Sequence, residues 1–493
     1  MSSNDTRHVQ VMIVGSGLSG LGTAIRLSQR GLSDFVVIER GPDVGGTWRD
    51  NTYPGAGCDV PSHLYSYSFA LNPDWSRSFS PQPEIEQYLR TVSERYGVRD
   101  KHIFDCALTA ARWNDADRRW DIETSKGTFT ADFIVSAAGV LAEPKLPDIK
   151  GISSFEGEVF HSARWNHDAT LTGKKVAVIG TGSSAVQIVP SIAPEVEHLD
   201  VYQRTATWVM PQISRPYLGL ERFAFKRIPG LQRLIRALIY ITRELFVITQ
   251  VKYPWTGIVL ETVGRFKMRF EIRDPELRRK VLPQHRIGCK RMLVSNKFYG
   301  ALDRDNVDVV TDGIAEVRSG SIVSEDGTER EVDAIVLATG FHVADSPTFN
   351  LYTGRDGRTV SEAADAEGYQ MYKGTTVSNF PNIFFMLGAN SGLNYTSLIY
   401  IIESQINYIV DAITTMEQRN LQSFEVRLDA QVEYNNKLQP KMARTVWVNG
   451  GCTSWFLDNH GNNSALWPDF SFKYRRMVRK FDIDAYDTTT KTL

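Results

Sequence analysis

Cysteine is scarce in this chain. Four occur in 493 residues, Cys58, Cys106, Cys289 and Cys452, and no two stand in a CxxC spacing. That excludes a dithiol-redox or zinc-cluster signature, and no metal site is expected. Sparse cysteine also fits a reducing compartment. Long apolar runs are missing too: the longer uncharged stretches are broken by Gly, Ser, Thr, Asn and Pro, and none is a continuous apolar run of the roughly 18 residues of a membrane span. The opening MSSNDTRHVQ lacks the apolar stretch of a signal peptide. Together these absences make a cytoplasmic protein the expectation. Neither charge is in excess: 56 Lys and Arg stand against 57 Asp and Glu. The basic surplus of a nucleic-acid binder is therefore absent, and no nucleic-acid partner is expected. No solenoid-length repeat or low-complexity tract interrupts the sequence.

What is present is the composition of an ordinary globular protein, 42% apolar and 23% charged. The length suffices for two or three domains. Near the N-terminus, VQVMIVGSGLSGLGTAIRLSQRG has the pattern of a strand, a Gly-rich turn and a helix. Gly15 permits the tight bend, Gly17 lets backbone approach a pyrophosphate, and Gly20 allows close packing of helix on strand. Phosphates would sit on the free N–H groups at the helix N-terminus, where the dipole favours anions. A lone GxGxxG is a weak signal. Here a second strand pattern, FVVIER, follows and carries Glu39 nineteen positions after Gly20. A carboxylate there can accept both ribose hydroxyls.

The unit recurs. KKVAVIGTGSSAVQIVPSIA holds Gly180, Gly182, Ser183 and Ser184, with Ala185 in the third glycine position, a replacement the fingerprint tolerates. Nineteen positions after Ala185 stands Arg204 rather than an acid. An acid repels a 2′-phosphate, whereas Arg pairs with it bidentately. The first unit is expected to take a dinucleotide with a free ribose, and the second NADPH. Two such sites imply electron traffic through a flavin. Two later segments repeat a strand-to-Gly pattern: ADFIVSAAGV ends near Gly139, and EVDAIVLATGFH carries Ala338, Thr339 and Gly340. They point to an FAD domain split in sequence around an inserted NADPH domain. The expected fold class is α/β, with two nested Rossmann-type dinucleotide-binding domains (FAD and NADP) and a helical insertion. The FAD domain takes residues 1–145 and 333–493, the NADP domain 146–210 and 283–332, and the insertion 211–282.

One stretch fits neither the helical nor the strand period: GGTWRDNTYPGAGCD, residues 45–59. With it and one further motif, nearly the whole chain resembles the class B flavoprotein monooxygenases, specifically the type I Baeyer–Villiger monooxygenases. FEGEVFHSARW matches the family's FxGxxxHxxxW through Phe155, Gly157, His161 and Trp165. Asn166 stands where the family usually has Pro or Asp. The Gly-rich stretch matches a second family pattern through Gly45, Gly46, Trp48, Tyr53, Pro54, Gly55 and Asp59.

The resemblance implies that this loop runs along the flavin, with Gly46, Thr47, Trp48 and Tyr65 in the FAD site and Asp59 entering the active site. Arg40 joins Glu39 at FAD, and Asn390 and Gly392 approach the flavin ring. Arg291, of the Lys290–Arg291 pair, is the implied catalytic cation, oriented by Asp59. Lys290, Arg204 and Thr205 would meet the 2′-phosphate of NADPH. His161 is expected to act as a hinge or cofactor-positioning residue, not as an acid or base. Trp455 would fold over NADP and the substrate pocket on a mobile loop hinged at Gly450 and Gly451.

The activity so implied inserts one oxygen atom of O2 next to a ketone carbonyl through a C4a-peroxyflavin, giving an ester or lactone. The peroxide must stay anionic to attack a carbonyl, so a fixed arginine beside it suits the chemistry. A protonated peroxide would oxidise sulfides or amines instead, which is the alternative activity. A two-dinucleotide reductase is a remote alternative, and the cysteine spacing opposes it. The partners expected are an apolar ketone and O2, for a monomer or homodimer. Residues 218–271 are helical, apolar and basic, with Leu231, Leu234, Ile235, Leu238 and Leu245 on one helical face. This segment is expected to pack on the NADPH domain and line the substrate entrance. Contact with a membrane surface is the less favoured reading.

Overall fold

The computed structural model describes residues 6–343, 345–452, 454–458 and 460–491. The first apolar run is strand β1 (Arg7–Val14), buried from Val11 to Val14. Burial on both faces is what a central parallel strand requires. The Gly-rich turn leads into helix α1 (Leu18–Gln29). Strand β2 (Phe35–Ile38) returns parallel to β1, with Val11 opposite Phe35. Strand β3 (Gly127–Ser136) pairs in parallel with the other edge of β1. These three strands form the centre of an eight-stranded sheet. Residues Ile383–Phe385 add a parallel strand to β3, so the C-terminal third of the chain completes the first sheet.

The second sheet has five parallel strands. It contains β4 (Glu158–His161) and β5 (Lys175–Ile179), which feeds helix α2 (Ser183–Ile192). It continues with β6 (His198–Tyr202), β7 (Val307–Val310) and β8 (Ala334–Leu337). The order is β7-β6-β5-β8-β4. The α/β class and the paired Rossmann-type units are therefore as the sequence led one to expect. One boundary differs. The expected edge at 332 would give β8 to the FAD domain, yet β8 lies inside the second sheet, between β5 and β4. The chain returns to the first unit only after Gly340. There it runs antiparallel to the outgoing crossing, with Pro144 bridged to Phe341. The Lys145 N–H donates to the Gly340 carbonyl and the His342 N–H to the Glu143 carbonyl.

The insertion comprises α3 (Gly219–Arg227), α4 (Leu231–Glu244) and α5 (Ile258–Glu271). It packs on the first unit as well as on the second. Arg236 donates to the carbonyls of His63 and Leu64, and Glu244 accepts from the backbone and hydroxyl of Ser471. Of the apolar stripe expected on this helix, Leu234, Leu238 and Leu245 are exposed, while Leu231 and Ile235 are half-buried. No helix among the described residues is long and apolar enough to cross a membrane. Helix α6 (Leu398–Gln418) buries Ile401, Ile402, Ile406 and Ile409 and packs on α1. A Cβ on Gly22 would stand 2.8 Å from the Ile406 side chain.

Gly20 is where this packing tolerates least. A Cβ there would stand 1.8 Å from the Gly15 carbonyl oxygen, a backbone atom of the turn itself. Gly20→Ala is expected to destabilise the first unit by about 1–3 kcal/mol and to weaken FAD retention. Thermal unfolding of the FAD-loaded protein measures it, and an unchanged midpoint would contradict the packing.

Candidate active site

The two Gly-rich turns have the same construction. Gly15 holds φ at +101°, and a Cβ would meet the Ala137 carbonyl oxygen at 2.6 Å. Gly180 holds φ at +115°, with the Ala338 carbonyl oxygen at 2.4 Å from the same position. Gly17 and Gly182 begin α1 and α2 with no side-chain cap and no acid in the first turn. Their first N–H groups therefore lack side-chain partners and face outward as anion sites. Glu39 follows β2 in a buried position. Its carboxylate accepts from the N–H groups of Ser16 and Gly41, both at 2.8 Å, and pairs with Arg49 at 2.9 Å. A carboxylate offers about four acceptor sites, so room remains for ribose hydroxyls. The Ser16 hydroxyl is buried with no partner among the described residues. A dinucleotide's diphosphate and ribose fit this donor and acceptor set.

The loop 45–59 lies against that turn and forms the seam between the two units. The Gly45 N–H donates to the Ser16 carbonyl. A Cβ on Gly46 would stand 3.0 Å from the Gly17 Cα. Thr47 opens a short helix with Trp48, whose indole donates to the Tyr65 hydroxyl at 3.1 Å. Gly55 reaches α2, where a Cβ would meet the Gln187 carbonyl oxygen at 2.7 Å. Gln187 in turn donates to the Gly57 carbonyl and accepts from the Tyr53 hydroxyl. The glycines of this loop therefore serve close approach on both sides. Arg40 lies at the crossing, paired with Glu143 and donating to the Ala142 carbonyl.

At the end of the loop stands the central contact. Arg291 donates from Nε and Nη2 to the two carboxylate oxygens of Asp59, at 2.9 and 2.7 Å. Burial pushes the Asp59 carboxyl up, but the Arg291 guanidinium more than offsets it and holds Asp59 below the ordinary carboxylate range. Asp59 in turn raises Arg291, against the pull of burial. Both side chains line one cavity with Val60, Met292 and Asn394. Sequence reasoning missed two further walls, Arg243 and Phe246, which come from the end of α4 and the residues after it. The Arg243 side chain has no hydrogen bond or ion pair among the described residues. No local spacing rule singles out such a residue, and its polar place on the helical wheel reads as solvent.

A second cationic group lies at the nucleotide side. Burial lowers the Lys290 ammonium from its ordinary value, and nearby Arg204 lowers it further. Neither has an ion-pair partner among the described residues, so the pair suits a phosphate. The Thr205 carbonyl accepts from Thr181 at 3.0 Å. This set fits the 2′-phosphate of NADPH. Thr339 donates to the Lys145 carbonyl at 2.6 Å beside Ala338 and Gly340, tying the crossings together.

Other expected residues take structural positions. Asn390 holds φ at +56°, and its side chain donates to the Asn463 carbonyl. His161 is buried, accepts from the Ala163 N–H and leaves Nε2 without a partner among the described residues. Burial pushes its imidazole down to about 4, which keeps it neutral and fits a hinge beside Phe341. Phe155 is in the core of the second unit, and Gly157 leaves room for the Asp333 carbonyl, 2.3 Å from where a Cβ would be. Trp165 packs edge-on against Phe160. Asn166, the departure from the motif, donates to Glu158 at 3.1 Å. Trp455 is 47% exposed, with its ring against Phe456 and outside the cavity lining. Its loop is tied to the Arg291 segment by a Cys289–Cys452 disulfide, a pairing that a separation of 163 residues hid from sequence reasoning. A grouping of His198, Asp200 and Asp308 has metal-ligand proximity, but Asp200 also pairs with Arg330.

Residues 12–228 match the pyridine nucleotide-disulphide oxidoreductase family model. A Baeyer–Villiger monooxygenase of Streptomyces coelicolor is 48% identical over 97% of this chain and 92% of its own length. Another from Pseudomonas aeruginosa is 45% identical over 99% and 93%. Among solved structures, cyclohexanone monooxygenase from Rhodococcus sp. Phi1 bound to NADP+ superposes with a TM-score of 0.88 at 28% identity, covering 99% of this chain and 100% of that one. OTEMO in complex with FAD and NADP gives 0.89 at 26% identity, covering 98% and 100%.

The Lys290–Arg204 pair makes a direct expectation. Lys290→Ala is expected to weaken NADPH binding about tenfold to a hundredfold, the range for a lost charged hydrogen bond, and to leave NADH binding unchanged. Titration of tryptophan fluorescence with each nucleotide measures it. Equal losses for both would remove Lys290 from the 2′-phosphate.

Proposed function

The chain belongs to the Baeyer–Villiger monooxygenases, and from that membership we propose how this site works. The enzyme is an FAD- and NADPH-dependent flavoprotein monooxygenase that inserts one atom of O2 beside a ketone carbonyl, giving an ester or lactone. Ketone, O2, NADPH and a proton become ester, NADP+ and water. The family membership favours this over oxidation of sulfides or amines and over a reductase.

Bound FAD and NADPH supply the reducing equivalents and the activation of O2. The protein supplies position and charge. The α1 N-terminus, Ser16 and Glu39 hold FAD, and the α2 N-terminus, Arg204 and Lys290 hold NADPH. The observation that carries the rest is the two-pronged contact of Arg291 with Asp59. It uses Nε and Nη2 and leaves Nη1 to donate to the ketone oxygen as negative charge builds there. Asp59 fixes the plane of the guanidinium and acts through it. Arginine suits the task because it keeps its proton in a partly desolvated site, where lysine would give it up more readily. The apolar surfaces of Val60, Phe246 and Met292 suit an apolar ketone. Closure of the loop bearing Trp455 would exclude water from the reaction.

The pH dependence follows in sign. The folded Asp59 carboxyl is depressed, so the pair's contribution is present above the ordinary carboxylate range and is lost only as pH falls through the lowered folded value. Around neutral pH the pair is fully ionised.

The test gives FAD-loaded enzyme NADPH, O2 and a cyclic ketone and counts ester against NADPH consumed. Near-equal amounts are expected. Arg291→Ala is expected to lower ester formation about 10²- to 10³-fold, as for loss of one preorganised donor, with FAD still bound. Ester formation at the parent rate would take Arg291 out of the chemistry.

A further inference from the structure

Helix α4 is inside out. Its buried positions are polar, Gln232 and Glu244, and four large aliphatic side chains in it and at its C-terminal end stand in solvent. Leu234, Leu238, Ile241 and Leu245 are each half exposed or more, and their spacing of four, three and four puts them on one face. The inward face is fixed by hydrogen bonds from Gln232 to the Asn72 carbonyl, from Arg236 to two carbonyls, and to Glu244 from Ser471. The orientation is therefore locked. Helix α5 shows a second exposed stripe through Val259, Val263, Phe266 and Phe270. Helix α3 adds Leu220 and Phe223. Of the twenty-four exposed large apolar residues described, sixteen lie between 213 and 270. Such a concentration marks an interaction surface rather than ordinary scatter.

Charge names the partner. Positions 218–280 hold fourteen Lys and Arg against six Asp and Glu, a net +8 in a chain whose total is −1. Arg222, Arg227, Arg233 and Arg269 have no ion pair among the described residues. We propose that the helical insertion docks on an anionic lipid bilayer, with its apolar stripes in the headgroup boundary and its unpaired arginines on the lipid phosphates. Exposed Leu, Ile, Phe and Trp beside arginines, on helices too short to span, are the features of helices lying in the interface plane. A second copy of the chain would set one basic face against another, whereas an anionic leaflet neutralises the charge of Arg222, Arg227, Arg233 and Arg269. The use of such docking rests on the monooxygenase reading. Arg243 and Phe246 build the catalytic cavity wall from the same segment that carries Leu245, so an apolar ketone dissolved in the bilayer would lie beside the cavity.

The test is co-sedimentation of FAD-loaded enzyme with vesicles of phosphatidylcholine alone, or of phosphatidylcholine and phosphatidylglycerol in equal parts. Binding to the anionic vesicles is expected, with release by added salt. Leu234→Asp and Leu238→Asp are each expected to lower the partition coefficient about tenfold, as for loss of one buried leucine. Arg233→Glu is expected to weaken binding to the anionic vesicles only. Unchanged oxidation of a water-soluble ketone shows that the variants are folded. Parent enzyme left in the supernatant with both vesicles would overturn the proposal. So would equal, salt-insensitive binding to both, or self-association by light scattering that Leu238→Asp abolishes, which would assign the face to a second copy. Sedimentation needs no turnover, so failure of the monooxygenase reading would be seen separately.

Discussion

The contact between Arg291 and Asp59 closes a separation of 232 residues, and the rest of the site is arranged to keep it. A charge pair partly removed from water is favourable where the geometry is good and the partners are held in place. Asp59 is fixed because its loop is clasped on one side by the Gly15–Gly20 turn and on the other by Gln187 of α2. Arg291 is fixed because the strand pair Val209–Met210 with Leu293–Val294 follows it directly, and because Cys289, just before it, is bonded to Cys452. The pair therefore joins loop 45–59 to the segment after the insertion. Loss of either partner leaves the other as an uncompensated charge on the cavity wall.

Much of this was legible because it is local. The two Gly-rich turns need glycine for a reason a sequence can show: a carbonyl oxygen occupies the space a Cβ would take, from Ala137 in one unit and Ala338 in the other. Glu39 and Arg204 stand the same nineteen positions after their turns, although the helices between run 12 and 10 residues and the strands 4 and 5. The Asp59–Arg291 pairing was legible only through family resemblance, since no local rule links residues so far apart. The edge of the second unit was misplaced because β8 followed by Gly340 has the same pattern whichever sheet receives it. Its neighbours, β5 and β4, are more than 150 residues upstream.

The insertion was the least legible part, and the cause is physical. An amphipathic helix in a sequence is assumed to turn its apolar face inward. Helix α4 turns its polar face inward, because Gln232, Arg236 and Glu244 all find partners on the FAD side. That reversal also explains Arg243. Its place on the polar side of the wheel suggests solvent, but in a reversed helix the polar side faces the cavity. One fact, the direction of α4, thus sets both the composition of the cavity wall and the apolar outer surface.

In the proposed mechanism Asp59 works through Arg291. A double-mutant cycle of Asp59→Ala and Arg291→Ala, read as the rate of ester formation in FAD-loaded enzyme, tests it most directly. The double variant is expected to be no slower than Arg291→Ala alone, because Asp59 has nothing left to orient. Losses that multiply would show that Asp59 acts independently of Arg291 and would contradict the proposed mechanism.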